Sequence, residues 1–326
     1  MPYCQSCGNE LYSVDQFCTK CGETVSREPQ GIKAESSRNF MGNYLALIIL
    51  GALLLGTIIL AAGVLGPVFF SMANLKNILI QFLFPATLAL AVTVSAKKGP
   101  DLSVPYIAGL SAMIIALTAQ TGSISLGVVV SIGICILFGA VNGTLIGLAR
   151  IPPFIVTLAT GLLTIPIMGI ASGGETIMIE GANLLAPILL ASAALVLVLV
   201  LIMIFDKGEA KNSWVRVLLI YAAGGLFASL AGYFWLMRIQ AAVPRPGMGL
   251  EYVLFIYLSV TSIRWLKNSM FALLFSLVPA FVWALMSNAF SIVGMSIFVQ
   301  TYAFIGIVVI LAVVRFLLIG RNVSAR

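Results

Sequence analysis

Histidine is absent from this 326-residue chain. That removes every Ser-His-Asp or Cys-His catalytic set, and with it the one side chain that titrates near neutrality without help. Charge is scarce as well. Asp, Glu, Lys and Arg make up 9% of the residues, where a soluble domain carries roughly 25%. No G-x4-G-K-[S/T] phosphate loop occurs anywhere, so the chain is not its own ATPase of that class. The long apolar runs hold no Asp, Glu or Lys near their middles. Proton- and ion-coupled carriers usually need such groups. A net charge of +7 does not signal nucleic acid, because the bases stand singly between apolar runs and form no basic face.

What is abundant is apolar surface. It makes up 61% of the residues, with a mean hydropathy of +1.11, a composition solvated by lipid. The expected fold is an all-α polytopic membrane protein of about ten transmembrane helices. They fall near 44–66, 78–95, 102–119, 124–149, 154–172, 184–205, 215–237, 252–263, 271–290 and 297–318. The run at 252–263 is shorter than the ~20 residues of a full span and reads as a broken or re-entrant piece.

Charge placement tests the count. With the N-terminus inside, 15 of the 18 Lys and Arg fall on the inner side, and only Lys76, Arg238 and Arg245 fall outside. An error in the number of spans would scramble this bias beyond the point of the error. The expectation is therefore N-in, C-in, in a cell membrane, with residues 44–320 forming the transmembrane domain.

Four of the five cysteines lie ahead of the spans. Cys4-x2-Cys7-Gly8 and Cys18-x2-Cys21-Gly22 repeat one turn. Two residues between cysteines place both thiolates on a single turn, and the following glycine can take positive φ and aim N–H groups at sulfur. Two such turns supply a tetrahedron of soft ligands suited to Zn2+. Residues 1–25 thus read as a zinc ribbon, whose folding free energy must come from the metal because so short a domain has almost no core. Residues 26–43 read as a flexible polar linker.

Gly127, Ser131, Cys135, Gly139, Gly143 and Gly147 recur every four residues on one helix face. A stripe of small residues lets a neighbouring backbone approach closely, so Gly139, Gly143 and Gly147 are expected at a helix interface, and Cys135 is expected to pack there. The neutral polar residues inside the spans are candidates to line a path for an uncharged hydroxylated solute, Asn142, Thr157, Thr160 and Asn288 foremost. The bland alternative is pairing between helices at ~0.6 kcal/mol each. Asp101 opens the third span, where a carboxylate complements the helix dipole.

Asn74-Leu75-Lys76-Asn77 and Gly99-Pro100-Asp101-Leu102-Ser103-Val104 resemble the opening of the ribose-type ABC permeases. The most specific similarity is Arg150-Ile151-Pro152-Pro153-Phe154-Ile155-Val156-Thr157-Leu158, preceded by Asn142-Gly143. Gly173-Gly174, Gly224-Gly225, Arg238, Glu251, Asn288 and Gly294 follow in order. This resemblance covers about residues 70–318. It implies a non-enzymatic permease subunit that imports a monosaccharide or nucleoside by alternating access. The implied partners are a cytosolic ABC ATPase, an extracytoplasmic solute-binding protein and a second permease subunit. Arg264, Trp265 and Lys267 would lie in the ATPase-contact loop. That loop lacks the family's glycines, and Ile165-Pro166 stands where an Arg-Gly pair is common. These departures leave a second expectation, a degenerate permease that serves as a sensor or scaffold and recruits a cytosolic partner through the zinc ribbon.

Overall fold

A computed structural model describes residues 35–96, 98–179, 214–244, 249–261 and 269–320. The cysteines of the ribbon, the span expected at 184–205 and the loop carrying Arg264, Trp265 and Lys267 lie outside them. The described chain is almost entirely helical. In lipid each backbone N–H and C=O must find a partner within the protein, and a helix provides one for nearly all of them.

The helix α1 runs over Glu35–Leu60 and passes through a π-helical turn, Ala61–Leu65, into the short α2, Gly66–Phe69. Next come α3 (Met72–Ser95), α4 (Val104–Gln120), α5 (Ile124–Gly147) and α6 (Pro153–Ser172). Beyond the strand β1 (Ile177–Met178) lie α7 (Trp214–Ile239), β2 (Ala241–Ala242), α8 (Leu250–Thr261), α9 (Ser269–Ile292) and α10 (Ile297–Gly320). Six stretches are long and apolar enough to cross a membrane: Ile48–Phe69, Met72–Ser95, Ile124–Gly147, Pro153–Ser172, Trp214–Ile239 and Ala272–Ile292. Val104–Gln120, Leu250–Val260 and Phe298–Val313 are shorter apolar helices. The protein is an all-α polytopic membrane protein.

Three boundaries differ from the sequence reading, the first being that α1 begins at Glu35, inside the stretch 26–43 read as a flexible linker, rather than near 44. The α3 helix starts at Met72 rather than near 78, because Ser71 caps it: its Oγ accepts from the Asn74 N–H at 3.2 Å. Polar Asn74, Lys76 and Asn77 look like loop residues but belong to its first turns. The first span does not stop at 66 but continues through the π turn to Phe69.

Helices α3 and α7 are mostly buried, whereas α5 and α6 leave most of their length exposed to the surroundings. The most extensive interface is α5 against α7, and α7 also packs on α3 and α4. The small-residue stripe of α5 makes this possible. A Cβ on Gly139 would strike the backbone of Tyr221 and Ala222, one on Gly143 the backbone of Val217 and Leu218, and one on Gly147 the backbone of Trp214 at 3.0 Å. The α7 side reciprocates: a Cβ on Gly225 would strike the Cys135 carbonyl. Cys135 is fully buried, with Sγ 3.8 Å from the Ile107 carbonyl of α4. Its neighbours Ser111, Ser131 and Ser229 bond one another across α4, α5 and α7 at 3.2 Å.

β1 and β2 pair antiparallel, Ile177 opposite Ala242. The exits of α6 and α7 are therefore side by side. Ile177, Ile179 and Ala242 pack with Leu110, Met113 and Ala116 of α4, so the far half of α4 meets the same end.

Candidate solute-path site

The segment between α3 and α4, residues 99–103, is where most of the singled-out polar residues meet. Four residues beyond the end of α3 stands Gly99 at φ 141, a value open to glycine, with the Pro153 ring packed where a Cβ would sit. The chain then turns inward, so that Asp101, Leu102 and Ser103 are all buried. Asp101 Oδ1 accepts from the Ser103 N–H at 3.0 Å and from the Ser103 hydroxyl at 2.6 Å. This is the expected helix-start role in a specific form: the carboxylate satisfies a free donor at the beginning of α4.

The Ser103 hydroxyl extends the chain of bonds. Asn142 of α5 donates Nδ2–H to it at 2.9 Å, and Thr160 of α6 donates to Asn142 Oδ1 at 2.7 Å. Thr157, one turn earlier on α6, accepts the Leu102 N–H at 3.2 Å and donates to the Pro153 carbonyl at 2.9 Å. From α7, the Tyr221 hydroxyl reaches the Gly99 carbonyl at 3.5 Å, and Gly224 leaves room for Asp101 Oδ2, which would stand 3.4 Å from a Cβ there. Buried Asn142 and Thr157 and half-buried Thr160 thus form one cluster, tied to α4 by Leu102 and Ser103. Ser103 is the hub, and the sequence reading did not single it out. Its signals were its place two residues after an aspartate at a helix start and within the Gly99–Val104 segment that carries the resemblance.

Asn288 is elsewhere. It exchanges reciprocal amide hydrogen bonds with Asn74, both at 3.0 Å, and Asn74 also donates to the Phe69 carbonyl at 2.8 Å. Asn74 lies at the start of α3, whereas the Asp101 cluster lies beyond its end. The four candidates are therefore split between opposite ends of the bundle. Gln300 bonds to Ser287, Ser291 and the Met295 carbonyl near the Asn288 end.

Between the two polar clusters lies an aromatic one that sequence reasoning missed. Phe84 of α3, Trp235 of α7, Tyr252 of α8, Trp283 of α9 and Phe304 of α10 are linked by ring contacts. The centroid separations are 4.8 Å for Phe84–Trp235, 5.6 Å for Phe84–Tyr252, 4.2 Å for Tyr252–Trp283 and 3.6 Å for the stacked Trp283–Phe304 pair. No local pattern joins these residues, because each comes from a different helix.

Among the described residues no group of His, Cys, Asp or Glu could hold a metal ion. At the N-terminus, residues 3–25 match the zinc-ribbon domain family, and that range contains all four ribbon cysteines. The membrane part has relatives of its own. The ribose import permease of Bacillus subtilis is 26% identical over 93% of this chain and 99% of its own length. Over most of its length this chain is similar to import permeases for ribose and fructose. The fructose import permease of Rhizobium meliloti is 28% identical, covering 77% of this chain and 79% of the relative. The ribose import permease of Escherichia coli K12 is 25% identical, covering 72% and 83%. No solved structure matches. These relatives are described as import permeases.

Proposed function

We propose that this chain is the membrane-spanning permease subunit of an ABC importer for a small neutral sugar. The observation that carries the proposal is the end-to-end similarity to a ribose import permease, which leaves almost no part of either chain unmatched. The solute is a monosaccharide of the ribose or fructose class, moved by alternating access. A neutral polar lining suits hydroxyl groups, since it offers hydrogen bonds without the desolvation penalty of a buried charge.

A cytosolic ATPase supplies the energy. Arg264, Trp265 and Lys267 meet it, an extracytoplasmic binding protein delivers the solute, and a second permease subunit completes the path. The path runs past Asn142, Thr157 and Thr160 at one end and Asn288 at the other. These side chains are already bonded to one another or to Ser103 and Asn74. Their part is thus to hold the walls, and bonds to solute form as those pairs open.

Ten spans with both ends in the cytosol remain the topology we favour. The pairing of β1 with β2 supports it: α6 and α7 exit on one side, which requires an odd number of crossings between them, and residues 184–205 are long and apolar enough for one. The domain division follows, with a ribbon at 1–25, a linker from 26 that passes into α1 at Glu35, and the permease at 44–320. Cys4, Cys7, Cys18 and Cys21 hold one structural Zn2+. The fit rests on donor chemistry: four thiolates in two matched turns make a closed tetrahedral set with no position left for substrate.

The test is uptake. Deleting the chain from its host is expected to abolish high-affinity entry of labelled D-ribose or D-fructose, and restoring it should restore entry. Unchanged uptake of both sugars in the deletion strain refutes the reading. The purified chain alone should hydrolyse no ATP.

A further inference from the structure

The feature left over is Gln81. Its side chain is buried at 4% exposure, and its Oε1 has no hydrogen-bond partner among the described residues. Leaving a buried amide oxygen unpaired is unfavourable, and such groups in membrane interiors are rarely idle. Asn74, Ile78, Gln81 and Pro85 follow one another at steps of three or four residues and Phe84 lies three after Gln81, so they share a face of α3. That face is turned to α9: Asn74 bonds Asn288 and Ile78 packs with Leu285 and Ala289, while Phe82, at the edge of the face, meets Phe281 edge-on at 5.5 Å.

The main chain adds a second acceptor at the same place. Pro85 lacks an N–H, so the Gln81 carbonyl loses the donor an uninterrupted helix would supply. Pro279 does the same for the Phe275 carbonyl on α9. The antiparallel register fixed by Asn74–Asn288 and Phe82–Phe281 brings Pro85 and Pro279 to about the same level.

The depth is also specific. Gln81 stands nine residues into α3 and Trp283 nine residues from the end of α9 on the same side, so each is about 14 Å along its helix from that end. This is close to the middle of a bilayer, where alternating-access carriers hold their solute. One turn from Gln81, on the same face, begins the aromatic cluster of Phe84, Tyr252, Trp235, Trp283 and Phe304. The Trp283 indole N–H is likewise buried without a hydrogen-bond partner among the described residues, so a donor is available there too.

We infer that Gln81 and the aromatic rings beside it form the mid-membrane site for the sugar ring. This inference rests on the proposed import of a monosaccharide. A sugar presents C–H groups on its faces and hydroxyls on its rim. The faces pack against aromatic rings, and a rim hydroxyl donates to Gln81 Oε1. In this structure Phe304 stacks on Trp283, so the site is closed. Phe304 is the movable wall, because α10 packs chiefly on α8 and only slightly on α9. The sugar enters as Phe304 leaves the Trp283 face.

The experiment measures uptake kinetics in the deletion strain complemented with wild type, Q81M, Q81L, W283L or F304A, each normalised to its abundance in the membrane. The probes are labelled D-ribose, D-fructose and the mono-deoxy derivatives of whichever sugar is transported. Q81M keeps the volume and removes the acceptor. It should raise KM by roughly tenfold for the full sugar, the loss of one hydrogen bond to a buried group. It should leave KM unchanged for the one deoxy derivative that lacks the bonded hydroxyl. W283L should raise KM for every sugar alike. A purely structural role for Gln81 cannot produce the hydroxyl-specific split. Unchanged KM in Q81M, Q81L and W283L overturns the site while leaving sugar import intact. Wild-type uptake unaffected by deletion of the chain overturns the import reading, and this inference with it.

Discussion

Two glycines on the same helix, six residues apart, should respond oppositely to one added methyl group. Gly139 and Gly133 both lie in α5. A Cβ at Gly133 meets nothing within 4 Å. A Cβ at Gly139 meets the backbone of α7, with the Tyr221 carbonyl carbon at 2.9 Å and the Ala222 Cα at 3.0 Å, and the Tyr221 oxygen closer still. Ordinary contact begins at 3.4 Å. The obstruction is backbone, so it cannot rotate away, and α5 must retreat from α7 by at least half an ångström. On a 6–12 potential a gap of about that size forfeits roughly a quarter of the contact energy of the facing atoms. Because α5–α7 is the most extensive interface, that loss is spread along the whole helix. Overpacking of this kind costs about 1–3 kcal/mol. G133A instead gains helix propensity of up to ~1 kcal/mol. G139A shares that propensity gain, so the expected separation is the overpacking cost alone, about 1–3 kcal/mol in favour of G133A. The assay is thermal unfolding of the detergent-solubilised full chain, read as the fraction remaining monodisperse after heating. Equal midpoints for G139A and G133A would refute the close approach of α5 to α7.

Further outcomes follow from the polar clusters and the ribbon. N142A removes the link between Ser103 and Thr160 and should destabilise by ~1–3 kcal/mol, measured by the same thermal assay, because the buried Ser103 hydroxyl and the half-buried Thr160 hydroxyl each lose a partner. N74A and N288A should be non-additive in a double-mutant cycle by ~0.6 kcal/mol or more, since each amide bonds the other twice. Purified full chain should contain one zinc per chain by elemental analysis, and a C7S/C21S double variant should contain none. K76C should react with a membrane-impermeant maleimide in intact cells, and K98C only after permeabilisation. The reverse pattern would invert the favoured topology.

Much of this protein was legible without a structure, and the reasons are local. A run of some twenty apolar residues must be a helix in lipid, so the residues of α5, α6 and α7 were identifiable almost to their ends. Small residues at a spacing of four share a face by helix geometry alone, and α7 lies on that face of α5. The ribbon cysteines declare their chemistry by two matched turns, and the zinc-ribbon match covers the same residues. Errors arose where a cap overrode composition, as Ser71 does for the start of α3, or where a helix changed pitch without stopping, as at Ala61–Leu65.

The meetings between distant residues were decided only by the tertiary structure. Asn142, Thr157, Thr160 and Asn288 looked equivalent in sequence, as neutral polar groups in apolar runs. Packing divided them: three joined Asp101 and Ser103 at one end of the bundle, and the fourth joined Asn74 at the other. Five aromatic residues from five helices became one cluster, and Gln81 became the amide left without a partner beside it. Hydropathy and helical period are properties of neighbouring residues, so the chain alone determines that it enters a membrane and which faces its helices present. Which face meets which depends on side-chain shapes more than two hundred residues apart, as between Asn74 and Asn288, and only the folded bundle brings those together.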